Sequence, residues 1–519
     1  VKKLHLAAAA ALAAVFPAAG AARVRPPALA GAWYPGSPAL LAAEAQRLLD
    51  EPAPRLDAPP LALVVPHAGW QFSGPAAAAA FAQIPRGAVR RVVVLAPSHH
   101  RAFDGFAVDD ASAYRTPLGD VPLCPESARL ADGRLLRIDA AAAAPEHAVE
   151  IELPFLQRRL GAFCLIPILA GRTTPAQEAE LAARLAPLAD GTTLFVASSD
   201  FTHYGPSFGY TPYGPSFAAA RSRVRGVDAS AIEAIAAHDA RAFRRVVETT
   251  GATVCGRSGI GALLELLARV APASRGVLLA HYDSSQVGDP RDEAVDYAAV
   301  AFPRAPQTTK VVPLDAPPAC RAVGPDEPPL PEALGRRLPA LARAALETEL
   351  SGTDALPRAL DALPDAPEFK RLQATFVTLN RRDPREIARE GKLRGCVGQV
   401  VPVLPLATSI VESALDAALH DTRFDPVEAR ELPRLAVEVT VLSAPRPIAS
   451  WREIQLGRHG IVLEKGGRRA LFLPQVAPEQ GWTLEQTLDA LARKAGLPAD
   501  AWRSGARFSV FTGQVFEEN

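Results

Sequence analysis

The chain has 519 residues, about three times the usual domain length, which predicts two or three folded units and excludes a single small binding module. Its 56 Lys and Arg balance 56 Asp and Glu, so neither a general nucleic-acid binder nor a protein held on anionic lipid by charge is expected. At 49% hydrophobic and 22% charged residues the composition is that of a globular protein, and five Cys are too few for a disulfide scaffold; the odd count leaves at least one thiol unpaired.

Lys2 and Lys3 precede an apolar run from Leu6 to Phe16, and small residues from Ala18 to Ala22 follow. A charged start, a short apolar centre and an Ala-x-Ala site read as a secretory signal peptide over residues 1–22, cleaved near Ala21. Pro17 and Gly20 would break a first helix there, and the predicted location is an exported, periplasmic compartment. No later stretch is long and charge-free enough to span a bilayer.

From residue 23 to 302, short apolar runs alternate with Ala/Leu/Arg segments of helical character. The runs are Leu61 to Val65, Val92 to Leu95, Leu165 to Leu169, Leu194 to Ala197 and Val277 to Ala280. Near-continuous apolar strands alternating with helices predict an α/β sandwich around a largely parallel or mixed sheet. Five of the ten His and one Asp follow those strands: His67, His99, His100, Asp200, His203 and His281. In open α/β sheets ligands sit beyond the carboxyl ends of strands. Cys255 lies in a short run, Thr253-Val254-Cys255, ahead of a glycine turn and a helical segment, Ile260 to Leu267. Imidazole and thiolate are ligands for first-row transition metals, and two His with one anionic group leave positions open for substrate. Each residue also has a plainer reading: His100 as a backbone hydrogen-bonder, His281 and Cys255 as core, Asp200 as a strand-terminal cap.

Nine prolines fall between Pro303 and Pro331, and residues 303–335 read as a semi-rigid linker without hydrophobic periodicity. Beyond it, residues 336–519 read as an α+β unit without a dense cluster of ionisable residues. Its predicted strands are Ala374 to Leu379, Leu435 to Leu442 and Gly460 to Leu463, and its helices are Ser409 to His420 and one opened by a Thr483/Gln486 capping box. In Leu393-Arg394-Gly395-Cys396-Val397-Gly398, the glycines suggest a turn offering backbone N–H groups and the Arg394 cation to an anion; the plainer reading is a buried thiol where two backbones meet.

Trp33-Tyr34-Pro35, Pro66-His67-Ala68-Gly69-Trp70, Pro97-Ser98-His99-His100, Glu146-His147-Ala148-Val149-Glu150, Ser198 to His203 and Cys255-Gly256-Arg257 closely resemble, in order and spacing, the Memo family over about residues 24 to 303. That family is similar to class III extradiol dioxygenases. The resemblance implies a mononuclear metal centre held by His67, His99 and Cys255, with Asp200, His203 and His147 as proton-transfer and orienting groups. It further implies a dioxygenase-like oxidoreductase acting on a small molecule or peptide. Iron(II) is the first expectation for the metal; the thiolate, where those enzymes carry a carboxylate, equally suits copper or zinc. A metal carrier or peptide-binding scaffold without turnover is the alternative.

The LRGCVG segment, with Asp421 to Pro426 and Val437 to Ser443, resembles the AMMECR family from about residue 336 to the end. The two resemblances together imply fused A and B components of the AmmeMemoRadiSam system, with a radical-SAM enzyme as associate. For the second half they imply an association and no reaction; a ligand site at Arg394, Gly395, Cys396 and Gly398 is the expectation of the turn reading alone.

Overall fold

The computed structural model describes residues 23–287, 292–315, 328–364, 366–400, 402, 404–466 and 468–518. The expected signal peptide and the middle of the expected linker lie outside the described residues.

The N-terminal unit is built on a mixed nine-stranded sheet. Its strands are β1 (Pro60–Val65), β2 (Arg91–Pro97), β3 (Phe106–Val108), β4 (Leu136–Ile138), β5 (Cys164–Ala170), β6 (Thr193–Ser198), β7 (His203–Tyr204), β8 (Val277–Asp283) and β9 (Ala294–Pro303). The spatial order is β7-β9-β1-β6-β2-β5-β3-β4, with β8 also paired to β9. The four central strands β1, β6, β2 and β5 are parallel. Both sheet faces are covered, which is why these strands read as continuous apolar runs.

The alternation within each run divides the core in two. Leu63, Val65, Val92, Val94, Leu194 and Val196 face one layer, packed by α1 (Pro38–Asp50), α2 (Trp70–Phe81) and α3 (Leu153–Leu160). Ala62, Val64, Val93, Leu95, Phe195 and Ala197 face the other, packed by α4 (Pro175–Leu185), α5 (Phe217–Ala236), α6 (Ala240–Thr250) and α7 (Arg257–Val270). A disulfide joins Cys124 to Cys164, and Cys255 and Cys396 are free thiols.

Two expectations change here. The strand expected to end at Ala280 continues as β8 to Asp283, so His281 lies inside a buried strand and not at a strand end. Its Nε2 stands 2.9 Å from Asp296 Oδ1 of β9, and this carboxylate lets an imidazole sit in an otherwise apolar run. The start of the expected linker is also packed. Leu314 N donates to Leu279 O and accepts His281 N on its own carbonyl, while the Asp57 carboxylate receives the N–H groups of Thr308 and Thr309.

The C-terminal unit has two four-stranded sheets. The first places β10 (Thr375–Arg381) between β11 (Leu393–Gly398) and β12 (Leu435–Leu442), with Gly513–Glu517 beyond β12. Helices α8 (Leu338–Ser351) and α9 (Leu406–Leu419) share its core. The second packs against α10 (Leu484–Lys494), which opens with the Thr483/Gln486 capping box. The units meet directly: Leu40 of α1 is buried in the core around α8 and α9, and Gly36 N donates to Glu412 Oε1 of α9 at 3.0 Å.

Candidate metal centre

Three parallel strands end on the same edge and set out the site. β1 delivers His67, β2 delivers His99, and β6 delivers Ser198 and Asp200. His147 comes from the loop before α3. Nitrogen atoms of His67, His99 and His147 all lie within 4.8 Å of one another. The His99 and His147 rings stack at 4.6 Å, and His67 meets both edge to face.

Hydrogen bonds around the cluster fix which nitrogens are free. The Ser198 hydroxyl lies against Ala148 O and Glu152 Oε1, so its oxygen accepts the His67 Nδ1 proton at 2.8 Å and leaves Nε2 as a lone pair. Glu146 binds His99 twice, accepting from the backbone N at 2.6 Å and from Nδ1 at 2.9 Å, so Nε2 of that ring is free as well. Metal-binding imidazoles carry such carboxylate or hydroxyl partners on the far nitrogen. Burial and the neighbouring imidazoles push His67 well below the ordinary histidine value. Burial pushes His147 down to about 4, so both rings are neutral donors at neutral pH. Burial would raise Glu146, but its bonds from His99 outweigh that and hold it at about 2.

The remaining expected residues take different places. Cys255 Sγ lies 3.2 Å from His67 Nε2 and accepts Asp200 N at 3.2 Å, but it does not join the three-imidazole group. Burial, with the Asp200 carboxylate beside it, pushes the thiol up. Asp200 accepts the backbone N–H of His67 at 2.7 Å, so it positions that residue through the main chain and not by orienting an imidazole ring. His203 Nδ1 faces the carbonyls of Phe201 and Thr253, which places the proton on Nδ1 and leaves the lone pair on Nε2. His100 is exposed, 6.1 Å from the His147 ring.

Glu146 and Ser198 belong to the quoted motifs, but their roles were not readable because their partners are distant in sequence. Glu150 is another such residue: it is fully buried and takes bonds from Arg25, Tyr34 Oη and the N–H groups of Ala28 and Leu29. This ties the Trp33-Tyr34-Pro35 loop to the segment carrying His147, and Trp33 packs edge to face on the His147 ring at 4.6 Å.

In the second half, the LRGCVG segment is strand β11 and not a turn. A Cβ on Gly395 would lie 2.1 Å from Ala417 O, and one on Gly398 would lie 2.1 Å from Thr375 O, so both glycines serve close backbone approach. Arg394 is committed to Glu431 and to the Asp425 carbonyl. Cys396 N donates to Asp421, burial pushes its thiol up, and no imidazole stands against it among the described residues. Arg381, Glu390, Arg394, Arg423 and Glu431 together line a polar depression of about 450 Å3, a cluster of ionisable groups that the sequence had not suggested.

A family model described as Memo-like protein matches residues 25–301, and one described as AMMECR1 matches residues 339–516. A protein of Methanothermobacter thermautotrophicus is 40% identical over 191 residues, covering 36% of this chain and 94% of that protein. A protein of Thermococcus gammatolerans is 40% identical over 189 residues, covering 35% and 88%. Among solved structures, an uncharacterized protein from Pyrococcus horikoshii shares 37% identity, covering 37% of this chain and 94% of that chain, with a TM-score of 0.33.

Proposed function

Because the chain belongs to the Memo-like family over residues 25–301 and carries an AMMECR1 unit behind it, we propose that its N-terminal half is a mononuclear non-haem metal oxidoreductase acting on a small molecule or peptide. The observation that carries this is the convergence of three imidazoles, two of which, His67 and His99, have their inner nitrogens freed by Ser198 and Glu146. The donor set fits a first-row transition ion, iron in our reading, with copper or zinc compatible with the same nitrogens. His67, His99 and His147 would hold it, with the Cys255 thiol beside His67 as a further donor. When bound, such an ion supplies Lewis acidity and, as iron or copper, electron transfer.

The protein's own groups do the rest. Glu146 and Ser198 keep protons on the outer nitrogens of His99 and His67, and Asp200 holds the His67 loop. His203, whose lone pair lies on Nε2, is the residue we assign to proton transfer. Export is part of the proposal and is supported by the Cys124–Cys164 disulfide, since such bonds persist in oxidising compartments. Association with a radical-SAM enzyme rests on the family resemblance.

Metal analysis of full-length protein purified without dioxygen is expected to give one transition ion per chain, and dioxygen uptake with added reductants is expected to follow its occupancy. Bound copper without uptake would move the reading to a metal carrier, which the soft Cys255 donor favours; absence of any metal would end it.

A further inference from the structure

Beside the imidazole cluster lies a cavity of about 930 Å3, within the range of small-molecule sites. His99 and Cys255 are among its lining residues, so it borders the proposed metal site. Phe103, Phe243, Val247 and Val254 supply apolar lining, and four Arg (Arg101, Arg172, Arg244, Arg257) and two Glu (Glu178, Glu248) supply charged lining.

Four Arg against two Glu leave a surplus of cations on the lining itself. Arg172 pairs with Asp104, and Arg101 lies 3.4 Å from Asp139. Arg244 is taken by Glu178 and Glu265, and Glu248, on the same lining, has no ion pair among the described residues. The exposed Arg257 has no ion pair or hydrogen bond from its side chain among the described residues. It is also the first residue of α7, a 14-residue helix whose N-terminus faces the cavity beside Cys255. Glycines allow that approach: a Cβ on Gly256 would lie 2.5 Å from Ser198 O, and one on Gly259 3.0 Å from Leu95 O. A free guanidinium and the first turn of a helix, at the rim of an apolar cavity, are complementary to an acid group on an apolar body.

We propose that this cavity binds a small organic anion, its acid group held by Arg257, its body on Phe103, Phe243 and Val254, and its far end at His99 and Cys255. This rests on the metal-site reading only for the role of the far end. Carboxylate and phosphate share the recognising chemistry.

The test is calorimetric titration of the full chain, and of its His67→Ala variant, with benzoate, phenyl phosphate and benzyl alcohol. Either acid is expected to bind at least about tenfold more tightly than the neutral alcohol, and the tighter acid identifies the group. Arg257→Gln is expected to lose about tenfold in affinity for that acid, and Arg257→Lys to recover part of it. Because Arg257 is exposed, neither change disturbs the core. Equal binding of acid and alcohol, or an unchanged affinity in Arg257→Gln, overturns the proposal. Retention of acid binding in His67→Ala separates the two readings, since the cavity then stands whether or not the metal site does.

Discussion

Glu146 fixes two features of His99, the direction of its ring and the position of its backbone, from a single carboxylate. Glu146→Gln is therefore expected to cost about ten- to a hundredfold in metal affinity, read by competition with a chelator, while the fold is kept. The choice between His147 and Cys255 as third ligand is also decided at this scale. His67→Ala, His99→Ala and His147→Ala are each expected to abolish stoichiometric metal binding, and Cys255→Ser is expected to retain one ion at reduced affinity. The opposite order would make the thiolate the third ligand. His67 and His99 were legible in the sequence because each directly follows an apolar run of a parallel sheet. His147 carries no such signal, since it stands in a loop ahead of α3, and neither spacing nor periodicity places that loop over the sheet edge. Only folding brings Glu150 and Arg25 together to hold it there.

Among the elements, the central strands were readable because burial on both faces leaves an unbroken apolar run. β8 was cut short in the sequence reading because a histidine looks like an end when its partner, Asp296, is on another strand. The sequence of β11 misleads for the opposite reason. Two glycines in six residues suggest a turn, but here they thin a strand so that α9 and β10 can lie close to it. Gly395→Ala is accordingly expected to destabilise the C-terminal unit by about 3 kcal/mol or more, because the added methyl meets the Ala417 carbonyl and neither backbone can yield cheaply. Denaturant unfolding followed by circular dichroism checks this, and a loss below about 1 kcal/mol would show that α9 can shift away.

Across the whole molecule, the two units are joined by packing as well as by sequence. Glu412 of α9 is 6% exposed and accepts from Gly36 N in the loop that also carries Trp33. Burial, together with Asp416 on the same helix and Glu349 on α8, raises its carboxyl to about 7. Its unfolded value is near 4.5, so the folded form holds the extra proton between about pH 4.5 and 7. Stability from this contact is thus fullest at low pH and falls as pH rises through that window, by about 3 kcal/mol at most. Thermal unfolding of the full chain is expected to show a lower midpoint at pH 8 than at pH 5 from this source, and Glu412→Gln is expected to shrink the difference. An unchanged difference would place the pH dependence elsewhere, with the buried Asp228 and Asp296 pair as the first alternative.

The contact between Gly36 and Glu412 also bears on why these two units share one chain. Two separate proteins would have to meet by diffusion, and contacts such as the Glu412 carboxylate on Gly36 N and the inserted Leu40 would be lost on dilution. Covalent continuity gives each unit an effective concentration for the other of about millimolar, whatever the amount of protein present. The loop that packs Trp33 onto His147 is then held by its own dedicated partner, in a fixed one-to-one ratio, and neither changes with expression level.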